Sequence, residues 1–219
     1  MYTDYNPNFM RSSTLKGLMV HTAKEAGEIG PELKFGYGLV DVENASKLII
    51  NDGLTSSIEE NILNNGSSYT VQVTAGTTQP IVATLSWLDP IGSSMQCIND
   101  LDLRISSTSG TEFPWVLDNS KPLAPAIKAD NTKDVLEKIL IPNPVPGQTY
   151  DVTVTHKGIL QGGAQNYSLI ISGYANCASN SPSSVLITSD ILSSTISLSM
   201  LIYLSKHKIQ FNQMLLHAM

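Results

Sequence analysis

Residues 81–105 read IVATLSWLDPIGSSMQCINDLDLRI, and their spacing decides the fold. Ile81, Ala83, Leu85 and Trp87 alternate with Val82, Thr84 and Ser86; Leu101, Leu103 and Ile105 alternate with Asp100, Asp102 and Arg104. A period of two predicts strands with one face buried and one face polar. Asp89-Pro90-Ile91-Gly92 between them is a turn signal, because Pro fixes φ and Gly relieves a tight bend. Working outward, Tyr69, Val71 and Val73 alternate in the same way, and further strands read at 135–141, 150–155 and 167–172. Ala75-Gly76, Ser109-Gly110, 143–147 (NPVPG) and Gly162-Gly163 punctuate them. Six or more short strands at such intervals make the chain mainly β, an antiparallel β-sandwich or jelly roll over residues 54–176.

Upstream the period changes. Leu15, Leu18, Met19, Thr22, Ala23 and Ala26 share one stripe at helical spacing, with Ser12 or Ser13 placed to cap and Gly27, Gly30 and Pro31 to stop. Gly36 and Gly38 flank Tyr37 and mark tight turns or close backbone approach. Asp41 caps a second helix from Val42 to about Ile50, with Ala45, Leu48 and Ile49 inward, and Asn51-Asp52-Gly53 ends it. Two amphipathic helices need a sheet to cover. Residues 1–53 are therefore expected to belong with a sheet that this chain does not contain. Residues 177–219 form a third region, a linker followed by the apolar stretch 185–204. Asp190 interrupts that stretch, which is short for a membrane span, so a membrane role is not expected.

Composition narrows the class. Charged residues are 15% and apolar residues 42% of the chain, a balance suited to a β-rich secreted protein. A net charge of −6 with no Lys/Arg cluster argues against nucleic acid. Cys97 and Cys177 allow one disulfide, which would contribute roughly 4 kcal/mol if its geometry fits, or stand as two unpaired small apolar residues. Met1 to Pro7 carries neither the basic region nor the apolar run of a signal peptide.

The acidic residues form a pattern of their own. Asp100 and Asp102 lie two apart on a strand and share a face, so they repel unless protonated, paired or bridged by a cation. Asp130, Asn131, Asp134 and Glu137 form a second oxygen-rich group, and Glu137 shares its strand face with Val135, Ile139 and Ile141. Calcium takes six to eight hard oxygens, which two such loops can supply. Salt bridges to Arg104, Lys133 or Lys138 are the other way to balance these charges.

Five strings, TLSWLDPIG (84–92), INDLDLRI (98–105), ADNTKDVLEKILI (129–141), PVPGQTYDVTVTHKG (144–158) and QNYSLIISG (165–173), occur in that order. Together with 12–49, SSTLKGLMVHTAKEAGEIGPELKFGYGLVDVENASKLI, they make residues 5–175 resemble the C-terminal part of secreted bacterial subtilisin-like serine proteases. In that arrangement the end of the catalytic domain is followed by a jelly-roll domain related to the P domain of proprotein convertases. The resemblance implies structural calcium, with Asp100, Asp102, Asp130, Asp134 and Glu137 as candidate ligands. It also implies a catalytic domain upstream in cis, protein substrates for the whole enzyme, and a secreted or cell-surface location.

The family's nucleophile motif, Gly-Thr-Ser, is absent, as are its aspartate and histidine motifs, so no catalytic residue carries over. His21, on the first helix, is expected to pack rather than catalyse, and His156 to end its strand; His207 and His217 lie in the tail. Trp87 sits on an apolar face and belongs to the core, whereas Trp115 covers the sandwich edge or lines a groove. The reading is a non-catalytic portion of a secreted endopeptidase, inactive alone, whose β-domain stabilises the protease. The alternative is a free-standing extracellular sandwich used for binding or adhesion.

Overall fold

The computed structural model describes residues 9–76, 79–92, 97–118, 120–121 and 123–175, and everything below refers to these. Cys177, the apolar stretch 185–204, His207, His217 and the start of the chain lie outside the described residues. Helix α1 spans Ser12–His21 and α2 Val42–Ile50. Ten strands follow: β1 Ser56–Asn64, β2 Tyr69–Thr74, β3 Ile81–Trp87, β4 Leu101–Ser107, β5 Gly110–Glu112, β6 Trp115–Val116, β7 Ile127–Lys128, β8 Leu136–Ile141, β9 Thr149–His156 and β10 Ala164–Ser172.

Eight of these make two antiparallel four-stranded sheets, in the orders β1-β10-β3-β8 and β2-β9-β4-β5; β6 and β7 form a small ribbon. Successive strands cross from sheet to sheet (β1 to β2, β2 to β3, β3 to β4, β8 to β9, β9 to β10), which interleaves two Greek keys into a jelly roll. Leu85, Trp87, Leu103, Ile105, Ile139, Val152, Val154, Tyr167 and Leu169 fill the space between the sheets and are shielded from water. The alternation read from the sequence is the alternation of this core.

The helices overturn one expectation. They do not wait for a sheet outside the chain: α1 lies across β3 and β10, on the outer face of the first sheet. Its buried residues are Ser13, Thr14, Gly17, Leu18 and His21, while Leu15 and Met19 are exposed. The helix thus turns its small polar stripe inward, because the strand face beneath it is polar too, with Thr84, Ser86 and Ser168 buried there. Gly17 sets the closeness of approach; a Cβ at that position would come within 2.9 Å of the Ile170 Cδ1 atom. A second, small apolar cluster of Leu18, Leu48, Ile58 and Ile170 joins both helices to the sheet.

Helix α1 also stops earlier than its glycines suggest. The backbone of Lys24 pairs with Leu39 and that of Glu32 with Gly36, so 23–40 folds as a hairpin-like loop. Gly38, at φ 103°, is obligatory there, since a Cβ would sit 2.0 Å from the Lys24 carbonyl oxygen. Asp41 caps α2 by accepting from the Asn44 N–H at 2.9 Å, as its sequence indicates. Arg11, not Ser12 or Ser13, occupies the cap position of α1, and its N–H donates to Glu60 Oε1 at 2.8 Å.

Candidate functional site

Strands β4 and β9 run side by side with Leu101 opposite His156 and Leu103 opposite Val154. That register carries Lys157 to the level of Asp100, whose carbonyl accepts the Lys157 N–H at 2.9 Å. The Lys157 ammonium is then surrounded by three carboxylates: Asp130 Oδ2 at 2.6 Å, Asp102 Oδ1 at 3.0 Å and Asp100 Oδ2 at 3.5 Å. Arg104 closes the group, donating from one terminal nitrogen to Asp102 at 2.9 Å and to Asp130, with its guanidinium 4.6 Å from the centre of the Phe113 ring.

Hydrogen-bond alternation explains the remaining member. In an antiparallel pair every second residue directs its backbone groups away from its neighbour. Asp100 bonds to β9, so Leu103 must point to the other side of β4, where β5 pairs only with Ile105, Ser106 and Ser107. Two side chains take the place of the missing strand. Glu137 Oε2 accepts the Leu103 N–H at 2.6 Å, and Arg104 donates to the Leu103 carbonyl at 2.7 Å. Glu137 has no exposed surface, and its other oxygen has no partner.

Charge follows from this packing. Burial pushes Glu137 up to about 8, so it is a neutral acid at neutral pH. Asp100 and Asp102 are also raised, chiefly by burial, against the pull of Lys157. Asp130 is lowered: burial opposes this, but Lys157, Asp102 and Arg104 outweigh it. Lys157 is raised despite its own partial burial, because Asp130, Asp102 and Asp100 all favour the ammonium.

These residues do not fit a calcium ion as they stand. The point on which Asp100, Asp102 and Asp130 converge is taken by the Lys157 ammonium and the Arg104 guanidinium. Asp134 belongs to its own turn, where its Oδ2 accepts from Asn131 Nδ2 at 3.0 Å and Asn131 Oδ1 accepts the Lys133 and Asp134 N–H groups. Glu137 is enclosed in the core. Among the described residues no group of three or more His, Cys, Asp or Glu side chains is arranged to hold a metal. Of the cations named from the sequence, Arg104 does balance the cluster, whereas Lys138 turns away to donate to the Val20 carbonyl at 2.9 Å. Lys157, one residue beyond β9, carries no signal of its own in the sequence; only the β4–β9 register turns its place into a contact.

The two histidines among the described residues, His21 and His156, both make hydrogen bonds within the fold. His21 is buried with Nδ1 3.0 Å from Thr84 Oγ1 and Nε2 2.8 Å from Ser172 Oγ. Burial, reinforced by the Lys138 charge, drives it down to about 3. A groove of about 520 Å³ runs beside it, bordered by Thr22, Asn44, Lys47, Leu48 and Tyr174. His156 ends β9 and accepts the Gly66 N–H at Nε2, 2.7 Å away. Trp87 is wholly in the core. Trp115 is half-buried against Gly30, where a Cβ would meet its ring at 3.0 Å, and Lys128 stands 5.6 Å from its ring centre. Burial, with Asp89 and Asp100 nearby, lifts the Cys97 thiol to about 12, which makes it a poor nucleophile. No helix among the described residues is long and apolar enough to cross a membrane.

The chain matches no protein-family model and no curated protein. Among solved structures it is similar to the P-domain of the Macrobrachium rosenbergii nodavirus, at 11% identity over 55% of this chain and 94% of that one, with a TM-score of 0.18. An overlap of that quality carries no argument; the class of this protein, a jelly-roll β-sandwich with two helices, rests on the sheet order given above.

Proposed function

We propose that the chain is the non-catalytic part of a secreted subtilisin-like endopeptidase, a β-domain that stabilises the protease by offering residues 9–54 as a docking surface. One observation carries this reading. Among the described residues, eleven of the nineteen large hydrophobic side chains left exposed lie on residues 9–54, including Ile29, Leu33, Phe35, Leu39, Val40 and Val42. The far longer sandwich, closed around its own core, has the other eight. Concentrated exposed apolar surface of that kind marks an interaction site in soluble proteins. The identity of the partner comes from the sequence resemblance, which places these residues at the end of a catalytic domain.

The calcium attached to that resemblance enters only if Lys157 and Arg104 release the three aspartates to the ion. The test of docking is to mix this chain with a separately produced subtilisin-like catalytic domain from the same locus. Co-migration and a slower loss of protease activity on heating are expected. Leu39→Asp combined with Val42→Asp should abolish both while leaving the fold intact, since surface changes cost about 0.5 kcal/mol or less. Absence of a complex, or a complex indifferent to the double substitution, would overturn the proposal. Binding of an extracellular polysaccharide by the double variant would support the free-standing adhesion module instead.

A further inference from the structure

Asn65-Gly66 is the sole Asn-Gly pair in the sequence. It forms the tip between β1 and β2, where the Ser67 N–H closes the turn onto the Asn64 carbonyl at 3.0 Å. Gly66 adopts φ 75°, and no atom lies within 4 Å of where a side chain would begin, so nothing crowds this side of the turn. Two further groups converge on this peptide from a distant part of the chain. The Gly66 N–H donates to His156 Nε2 at 2.7 Å, and the Leu160 N–H donates to the Asn65 side-chain oxygen Oδ1 at 3.0 Å. Because Nε2 accepts, the imidazole proton sits on Nδ1, which is buried and without a partner. His156 Nε2 is therefore held as an acceptor against a backbone nitrogen.

We propose that Asn65 is a self-modifying site in which His156 serves as the base. The nucleophile is the Gly66 nitrogen and the electrophile is Asn65 Cγ, whose oxygen the Leu160 N–H already polarises. As the nitrogen attacks, its proton passes to His156 Nε2, and negative charge developing on Oδ1 is stabilised by Leu160. His156 then returns the proton to Nδ2, the Cγ–Nδ2 bond breaks, and ammonia leaves a five-membered succinimide. Solvent water opens that ring at either carbonyl, giving aspartate or isoaspartate at position 65. The reaction needs no oxidant or metal, and it leaves an anionic carboxylate facing the Leu160 N–H.

The same bond from Gly66 to His156 could instead hold the turn and slow the reaction, and kinetics separate the two. The full chain and a synthetic peptide of residues 61–69 are incubated at neutral pH and body temperature. Loss of ammonia, then gain of water, at Asn65 is followed by mass spectrometry, and isoaspartate is counted by enzymatic methylation. The folded chain is expected to react about tenfold faster than the peptide or more, and His156→Gln, which keeps an acceptor but not a base, to slow it by a factor of about 10². A folded chain no faster than the peptide would overturn the proposal, as would a His156→Gln protein reacting at the unsubstituted rate. If that variant does not fold, the comparison with the peptide decides alone.

Discussion

Two seams hold this protein together, and they are built from different chemistry. Between the sheets lie Leu85, Trp87, Leu103, Ile139, Val152 and Tyr167, with almost no water left in contact. Between α1 and the first sheet lie hydroxyls and charges. Ser13 and Thr14 meet Ser168 at 2.7 and 2.8 Å, and Lys16 reaches the Trp87 and Val135 carbonyls at 3.1 and 2.9 Å. Lys138, itself buried, reaches the carbonyl of Val20 near the end of α1. The first seam is strong because apolar area leaves water. The second depends on every polar group finding its partner, since each one left unsatisfied costs about 1–3 kcal/mol. The inter-sheet seam answers chiefly to lost volume, and the helix seam chiefly to its hydrogen bonds, its buried imidazole and the close approach at Gly17.

The largest effect should come from the first seam. Leu103→Ala removes a fully enclosed side chain and is expected to cost about 2–5 kcal/mol. Chemical denaturation followed by tryptophan fluorescence should show the loss in the whole transition rather than in one segment. A local loss confined to β4 would mean that the sheets are less cooperative than their shared core implies.

An intermediate effect is expected at the second seam on acidification. His21 titrates near 6.5 when free and at about 3 when buried between Thr84, Ser172 and Lys138. A histidine whose folded value is depressed stabilises docking fully above its free value and loses that contribution as pH falls towards the folded value. Between pH 7 and pH 5 the docked-to-undocked ratio of α1 should drop roughly 25-fold, or about 2 kcal/mol. Hydrogen exchange of residues 12–21, corrected for the intrinsic rate, measures it, and His21→Gln should remove the dependence. Equal protection at both pH values would show that the imidazole stays neutral or that water reaches it.

The smallest effect is expected at Gly17. Alanine gains about 1 kcal/mol in helix propensity, but its Cβ displaces the flexible end of Ile170. The two nearly cancel, and a melting shift of only a few degrees should result. Leucine at the same position has no such escape and should release α1 without unfolding the sandwich, a result that circular dichroism and exchange together would register.

The strands of the core are legible in the sequence because burial on one face writes itself as a period of two. Six of them stand within two or three residues of where their alternation puts them. β1 does not show, since Ile58 faces the helices, Leu63 faces the core, and Glu59 and Glu60 between them are taken by Tyr69 and by Arg11 with Thr14. Its two buried apolar residues answer to two different covers and Ile62 is exposed, so no alternation survives. The inward face of α1 is hidden for a related reason: an apolar stripe at Leu15 and Met19 is visible to any periodicity argument, while a stripe of Ser, Thr and Gly is not. Asp100 with Asp102, and Asp130 with Asp134 and Glu137, are legible as two acidic groups needing positive charge; that Asp130 joins the first pair is not. Arg104 is legible as one source of that charge; Lys157 is not, since it stands opposite Asp100 just beyond β9 and register is a tertiary fact.

Glu137 standing in for a strand has a consequence for assembly. The short β5 leaves Leu103 of β4 without a strand partner on that side, and an unpaired strand flank is where a neighbouring polypeptide can template a fibre. Because a carboxyl group and a guanidinium already hold the Leu103 amide and carbonyl, an incoming chain would have to evict both before it could zip on, and so the molecule carries its own stopper against polymerising from that end.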